Sequence, residues 1–470
     1  MSSYESRRVN LSLLERDALR LRWMQVAMII GVLVVSPLLV MLLPNQLRMI
    51  VMVLPAGFIG FFVLLKWPQL GFLALTTAGM LLISTVPLIG FAALMYIVLT
   101  FVWLFKMIAL ERELKFVSAP SVTAVIYFGI LVILSFSIGQ LPWFPVQGAP
   151  IVTQIGGALI YLCSFLAFLL TANLIKDIRW LKWMVYTFLL FAGVFAFLSL
   201  VPFGRRFIRS YYSIRATSGS LFWVWTTCLS LSMALFNRKM PIWARLLSGA
   251  VCVAILYFGI LVNRQWVSGW VPPVVAVVAL VWIGAPRAAI PLSIAAGAGI
   301  LSQWSIVYGL VAGDNEYSTI SRLDAWRVMF EIININPLLG VGPSNYYFYT
   351  PLFNILGFYV EFNSHNNYID LLAQTGYLGL IFFFWVVIAI WQQGYRLLKV
   401  IPRGGFAHAF VVASLSGLVA SVFAGMLGDW VIPFYYNIGI TGLRASGLAW
   451  MFWGALVAME RIMLAGKPID

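Results

Sequence analysis

Apolar runs of about 20 residues follow one another along almost the whole chain, and no other feature constrains its fold as strongly. A bilayer core holds no water, so every backbone N–H and C=O there must pair within the chain. Only helices and closed barrels achieve this. The runs are continuously apolar rather than alternating, which selects helices. Fourteen spans are predicted, at 23–43, 48–66, 70–86, 88–106, 121–139, 152–173, 180–201, 220–236, 242–262, 266–284, 288–310, 368–394, 406–427 and 437–460. If the tight pair at 70–106 is one span plus a re-entrant piece, the number falls toward twelve. The expected class is an all-α polytopic membrane protein with 12–14 helices, a single integral membrane domain over residues 1–470. Its longest non-membrane segment is an outer loop at 311–367.

Composition agrees: 62% of residues are hydrophobic, 10% are charged and the mean hydropathy is +0.97. The net charge of +15 fits cytoplasmic loops and anionic membrane lipid as partners better than nucleic acid. Cys163, Cys228 and Cys252 lie inside apolar runs at no metal-like spacing and read as core filler. Residues 1–22 are polar and the first apolar run exceeds a signal-peptide core, so no cleaved leader is expected.

With the N-terminus placed in the cytoplasm, most of the 30 Lys and Arg residues fall on cytoplasmic segments, and both termini come out inside. The outward exceptions are Arg48, Arg205, Arg206, Arg209, Arg215, Arg264, Arg322, Arg327 and Arg444, with no lysine among them. Guanidinium forks bind phosphate bidentately and stay charged, so an arginine-only outer face suggests a bound anion. Snorkelling to headgroups is the competing explanation for Arg205, Arg206 and Arg209. Arg264 follows a span directly and sits beside Trp266, where an interfacial anchor is the alternative.

In the outer loop, Ser321-Arg322-Leu323-Asp324 fits a capping box. Leu323, Trp326, Phe330 and Ile333 then recur at helical spacing, and Asn336-Pro337 ends the pattern. Short amphipathic helices lying on the membrane surface are expected. Arg322 would then stand at a helix N-terminus, where backbone N–H groups also attract anions.

Only two histidines are present. His408 opens an apolar span and reads as structural. His365 follows Asn363-Ser364, either of which is a natural N-cap. That places His365 in the first helical turn, where the imidazolium is disfavoured. A neutral imidazole facing a polar cavity can act as a general base. Glu361 and Asp370 are the carboxylates near enough in sequence to orient it, and nothing chooses between them. The outer acidic residues, Asp314, Glu316, Asp324, Glu331, Glu361, Asp370 and Asp429, include no D-x-D pair or other metal-ligand spacing. A metal-dependent transferase is therefore not expected, and no cofactor is implied.

Taken in order, Asn263-Arg264, Arg322-Leu323-Asp324-Ala325-Trp326-Arg327, Asn336-Pro337-Leu338-Leu339-Gly340-Val341-Gly342-Pro343 and Ser364-His365-Asn366-Asn367, continuing to Gln374-Thr375-Gly376, resemble the O-antigen ligase and polymerase superfamily. Arg215-Ala216-Thr217-Ser218-Gly219 resembles the element that precedes a span in that family, and the likeness covers residues 215–394. The resemblance implies a GT-C-like membrane glycosyltransferase that takes a glycan from an undecaprenyl-pyrophosphate donor at the outer face of the cytoplasmic membrane. It passes the glycan to a lipid or protein acceptor as a ligase, or to another repeat unit as a polymerase. It further implies pyrophosphate contacts from Arg264, Arg322 and Arg215, and His365 as a metal-free base. Gln374 stands where the family often has glutamate, and Asn263-Arg264-Gln265 where it has Ser-Arg-Gly. A transporter of an anionic or lipid-linked solute is the rival class. It would place its charges within spans near the midplane, where Arg444 is the one well-embedded basic candidate.

Overall fold

A computed structural model describes residue 23 and residues 57–81, 90–304 and 316–469. The predicted span 23–43 beyond its first residue, and residues 48–56 of the span 48–66, lie outside them. By internal packing the chain divides into Met1–Trp67, in which residues 57–66 are helical, and Pro68–Asp470. The second unit runs as α1 (Gln69–Thr76), α2 (Phe91–Phe105, extended by a π-turn to Glu111), α3 (Pro120–Ile138), α4 (Ile151–Leu174), α5 (Ile178–Ser199), α6 (Pro202–Tyr211) and α7 (Ile214–Thr217). It continues as α8 (Ser220–Phe236), α9 (Ile242–Tyr257), α10 (Val267–Gly284), α11 (Pro286–Ser302), α12 (Glu316–Ile333), α13 (Tyr346–Tyr349), α14 (Asn367–Val400), α15 (Phe406–Leu427) and α16 (Leu443–Leu464). Among the described residues nine helices are long and apolar enough to cross a membrane; α8, at 17 residues, is apolar but shorter. The expected all-α polytopic class holds.

The packing centre is formed by α16, α4, α15 and α8. In lipid, apolar area alone does not hold two helices together, so close backbone approach does more of the work. At Gly454 of α16 a Cβ would stand 2.2 Å from the Phe168 carbonyl oxygen of α4. Trp223, Trp225, Trp450 and Trp453 fill the space around these contacts, and all three cysteines are buried and free, as expected.

The outer loop is built differently from its sequence pattern. Helix α12 starts at Glu316, so Ser321 is not its cap and Arg322 is well past its first turn. Asp324, the expected capping-box partner, instead accepts the Leu356 amide at 2.8 Å. The face of the helix that packs against protein is not the predicted stripe. Ala325, Val328, Met329, Ile332 and Ile333 pack into a core with Tyr346, Tyr349, Ile369 and Ala373, while Leu323 and Phe330 stay outside.

Candidate active site

Helix α14 is broken at Gly376, where φ is 67° and ψ is −170°. In an unbroken helix the Tyr377 and Leu378 amides would bond the Ala373 and Gln374 carbonyls. Here those amides donate to the Pro337 and Leu338 carbonyls, at 2.7 and 3.3 Å. The vacated carbonyls accept from Val341 and Gly342, at 2.9 and 3.1 Å. Two donors and two acceptors released by the break are all taken up by residues 337–342, as buried backbone requires. The fit leaves no room for a side chain. A Cβ at Gly376 would lie 2.2 Å from Leu338 O, and one at Gly340 2.5 Å from the Gln374 carbonyl carbon. Gln374 Oε1 accepts the Ser344 amide at 3.0 Å, and Asn345 bonds the carbonyls of Gly139 and Val341 and the amide of Ala149. A cleft of about 650 Å³ opens beside Asn345, lined in part by Gln140, Gln147, Gln154 and Tyr349.

The first turn of α14 is thereby locked to the loop, and His365 sits just ahead of it. The cap is Asn366, whose side chain accepts the Tyr368 and Ile369 amides, rather than Asn363 or Ser364. His365 thus precedes the helix, with φ at 49°, in the left-handed region that few residues other than glycine adopt. Its neighbours hold it there. Asn363 Oδ1 accepts the His365 amide at 3.3 Å, and Trp326 Nε1 of α12 donates to the Ser364 carbonyl at 2.8 Å. Phe362 meets the imidazole edge to face at 6.0 Å.

Burial first, and then the nearby Arg322 guanidinium, lower the basicity of His365 below the ordinary imidazole range. Burial and Arg322, rather than a helix N-terminus, are what favour the neutral imidazole here. Arg322 is itself half-buried. Its neighbour Arg327 is exposed and engaged by Asp324 at 3.1 Å, Glu331 at 2.9 Å and the Asn354 carbonyl.

Of the two carboxylates expected near His365, Asp370 bonds Ser364 Oγ at 2.7 Å and the Tyr346 hydroxyl. The same tyrosine is 3.0 Å from Asn363 Oδ1, so Asp370 braces the two residues that precede His365. Glu361 is exposed and interacts with Tyr347. Among the loop aromatics, Tyr346 and Tyr349 are core residues; Tyr347, stacked on Tyr436 at 4.6 Å, is the more accessible.

Sequence reasoning gave Asp429 no role. It lies buried near Asp370, accepts the Phe434 amide and Asn437 Nδ2 at 2.8 and 2.7 Å, and is made more basic by burial. An acidic residue directly after an apolar span was the available signal. Asn437 lines a cavity of about 380 Å³ with Ser218, Gly219, Trp266 and Trp430. The segments carrying Arg215 and Arg264 therefore meet beside the Asp429 network. Arg215 lies in α7, and Arg264 is exposed in the turn before α10, where its carbonyl accepts from Trp270 Nε1 at 3.0 Å. Among the described residues no group of three or more His, Cys, Asp or Glu could hold a metal ion.

Residues 227–384 match the family model for O-antigen ligase. The matched stretch begins in α8, ends in α14, and contains Arg264, Arg322, Glu361, His365 and Asp370; Arg215 precedes it. No curated protein matches the chain. The match is consistent with the O-antigen ligase superfamily. It supports glycosyl transfer of the ligase or polymerase type, with a lipid-linked glycan and an acceptor as partners, in a multi-pass membrane protein.

Proposed function

We propose that this protein is an O-antigen ligase-type glycosyltransferase acting at the outer face of the cytoplasmic membrane, with both termini inside. Its donor is an undecaprenyl-pyrophosphate-linked glycan, and the acceptor is a hydroxyl on a lipid, glycan or protein. Polymerisation would use the same site and differ only in the acceptor.

The observation that carries this reading is the half-buried His365 beside Arg322. A neutral imidazole accepts the proton of the acceptor hydroxyl as its oxygen attacks the anomeric carbon. The bond from that carbon to the pyrophosphate oxygen breaks, and its electron pair leaves with the phosphate. Arg322, with Arg264 and Arg215 from the earlier span mouths, meets the charge that develops there. Asp370 is a positioning residue, acting through Ser364 and Tyr346. The base and the guanidiniums suffice for this route without a metal or cofactor.

The test is transfer from purified lipid-linked donor by the protein in vesicles. His365→Ala should lower the rate by about 10²–10⁴-fold, with insertion and thermal unfolding unchanged. Full activity in that variant would overturn the assignment.

A further inference from the structure

Helix α6 carries Arg205, Arg206 and Arg209, which the candidate site leaves unused. The span before it, α5, has 22 residues. At about 1.5 Å per residue that is roughly 33 Å, enough for a bilayer core of about 30 Å. Val201 is extended and Pro202 opens α6, so the chain turns at the end of the span and α6 begins at the membrane surface. Its packing is one-sided. A Cβ at Gly204 would stand 2.2 Å from the Leu198 carbonyl oxygen, and Ile208 is half-buried one turn later. Just past the helix, the Tyr212 hydroxyl donates to the Phe191 carbonyl of α5 at 3.0 Å, and the Ser213 amide donates to the Met80 carbonyl at 2.8 Å.

The remaining surface of α6 divides into two stripes. At about 100° per residue, Phe203, Phe207 and Tyr211 share an arc of about 80°, and Arg205, Arg206 and Arg209 an arc of about 100° centred roughly 150° away. The aromatic residues are exposed, Phe203 at 78%, and the Phe207 and Tyr211 rings lie 4.5 Å apart. The arginines are exposed as well. Arg205 Nε donates to the Ser199 carbonyl at 2.9 Å, whereas the Arg206 and Arg209 side chains have no partner among the described residues. No Asp or Glu stands between Asp177 and Asp314 in the sequence, and Asp177 caps the opposite end of α5. An exposed aromatic stripe alone would suit any apolar partner. Joined to an unpaired arginine stripe at the end of a span, it calls for a partner that is apolar on one side and anionic on the other.

We propose that α6 lies in the plane of the bilayer surface and binds the phosphates of anionic phospholipids. The aromatic stripe enters the acyl boundary, and Arg206 and Arg209 meet the headgroup phosphates, with Arg205 held beside them by the end of α5. A guanidinium stays charged and grips phosphate through two parallel hydrogen bonds. With no carboxylate to offset the stripe, lipids of net negative charge are preferred to zwitterionic ones. The inference does not depend on the glycosyl-transfer reading, because none of these residues belongs to that site.

Hydrogen–deuterium exchange of the full chain in nanodiscs tests it. The signal is read from peptides covering α6 alone, and both faces of a nanodisc carry the same lipid. In phosphatidylglycerol the α6 amides should exchange about thirtyfold more slowly than in phosphatidylcholine, at about fivefold for each unpaired arginine. Arg206→Gln/Arg209→Gln should erase that difference, with exchange in α5 and α16 as in wild type. Phe203→Ser should speed α6 exchange in both lipids and keep the ratio between them. Equal exchange in the two lipids for wild type, or a ratio that survives in the double variant, would overturn the proposal. So would slowing that requires an added phosphorylated acceptor lipid and is not produced by phosphatidylglycerol, which would assign the arginines to the acceptor.

Discussion

The two halves of the candidate site are built in opposite ways. On the His365 side, α12, residues 337–345 and the first turn of α14 interlock through exchanged backbone bonds, glycines without room for a Cβ and a buried side-chain network. On the other side, Ser218, Gly219 and Trp266 border an open cavity, and Arg264 stays exposed. The difference fits the two tasks proposed for the halves. A base must be presented in one geometry before the substrate arrives. Guanidiniums that meet a large, mobile pyrophosphate can remain hydrated until the anion displaces the water.

Breaking the interlock should have the largest effect. Gly376→Ala puts a methyl group into the Leu338 carbonyl and forces a backbone conformation that only glycine adopts readily. We expect a loss of at least about 2 kcal/mol of stability, seen as a lower unfolding temperature in detergent, together with loss of transfer. A glycine on the open side gives the contrast. The nearest atom to a Cβ at Gly219 is the Ala445 side chain at 3.3 Å, so Gly219→Ala should shift unfolding much less. Equal shifts for the two variants would show that the halves are equally rigid.

The arginines come next. Arg264→Gln and Arg322→Gln each remove a charged contact to the donor, worth about 1.5–3 kcal/mol, or roughly 10–150-fold in donor affinity. Binding of a polyprenyl pyrophosphate, measured without acceptor, reads this directly. If neither variant binds more weakly, the pyrophosphate assignment fails on both sides of the site. If only Arg322→Gln does, the open half is not part of the donor site.

The spans were legible because hydropathy and length decide them, and α3, α4, α9, α10 and α15 fall within a few residues of their predicted limits. The loop was legible in its residues and not in its geometry. Ser321 and Asp324 have the spacing of a capping box, yet Asp324 gains more by bonding Leu356, 32 residues later in the chain. Ser364 has the side chain of an N-cap, but its hydroxyl is committed to Asp370 and the cap passes to Asn366. The glycines at 340 and 376 were visible as motif residues. That each clears a path for the other's backbone is a long-range fact, which local spacing does not carry.

The smallest effect should separate Arg322 from Arg264. The Arg322 charge is one of the two causes that hold His365 below its ordinary basicity. An imidazole with depressed pKa stays neutral as pH falls past its ordinary value of about 6.5. The acid limb of the transfer rate should therefore lie below that value in wild type. Removing the guanidinium leaves burial as the remaining cause, so Arg322→Gln should move the limb upward without erasing the whole depression. Arg264 is not among the causes of that depression, so Arg264→Gln should leave the limb in place while weakening donor binding. A limb that moves equally in both variants would mean that the open half closes onto His365 once the donor is bound, and the contrast between a finished half and a waiting one would then hold only for the empty site.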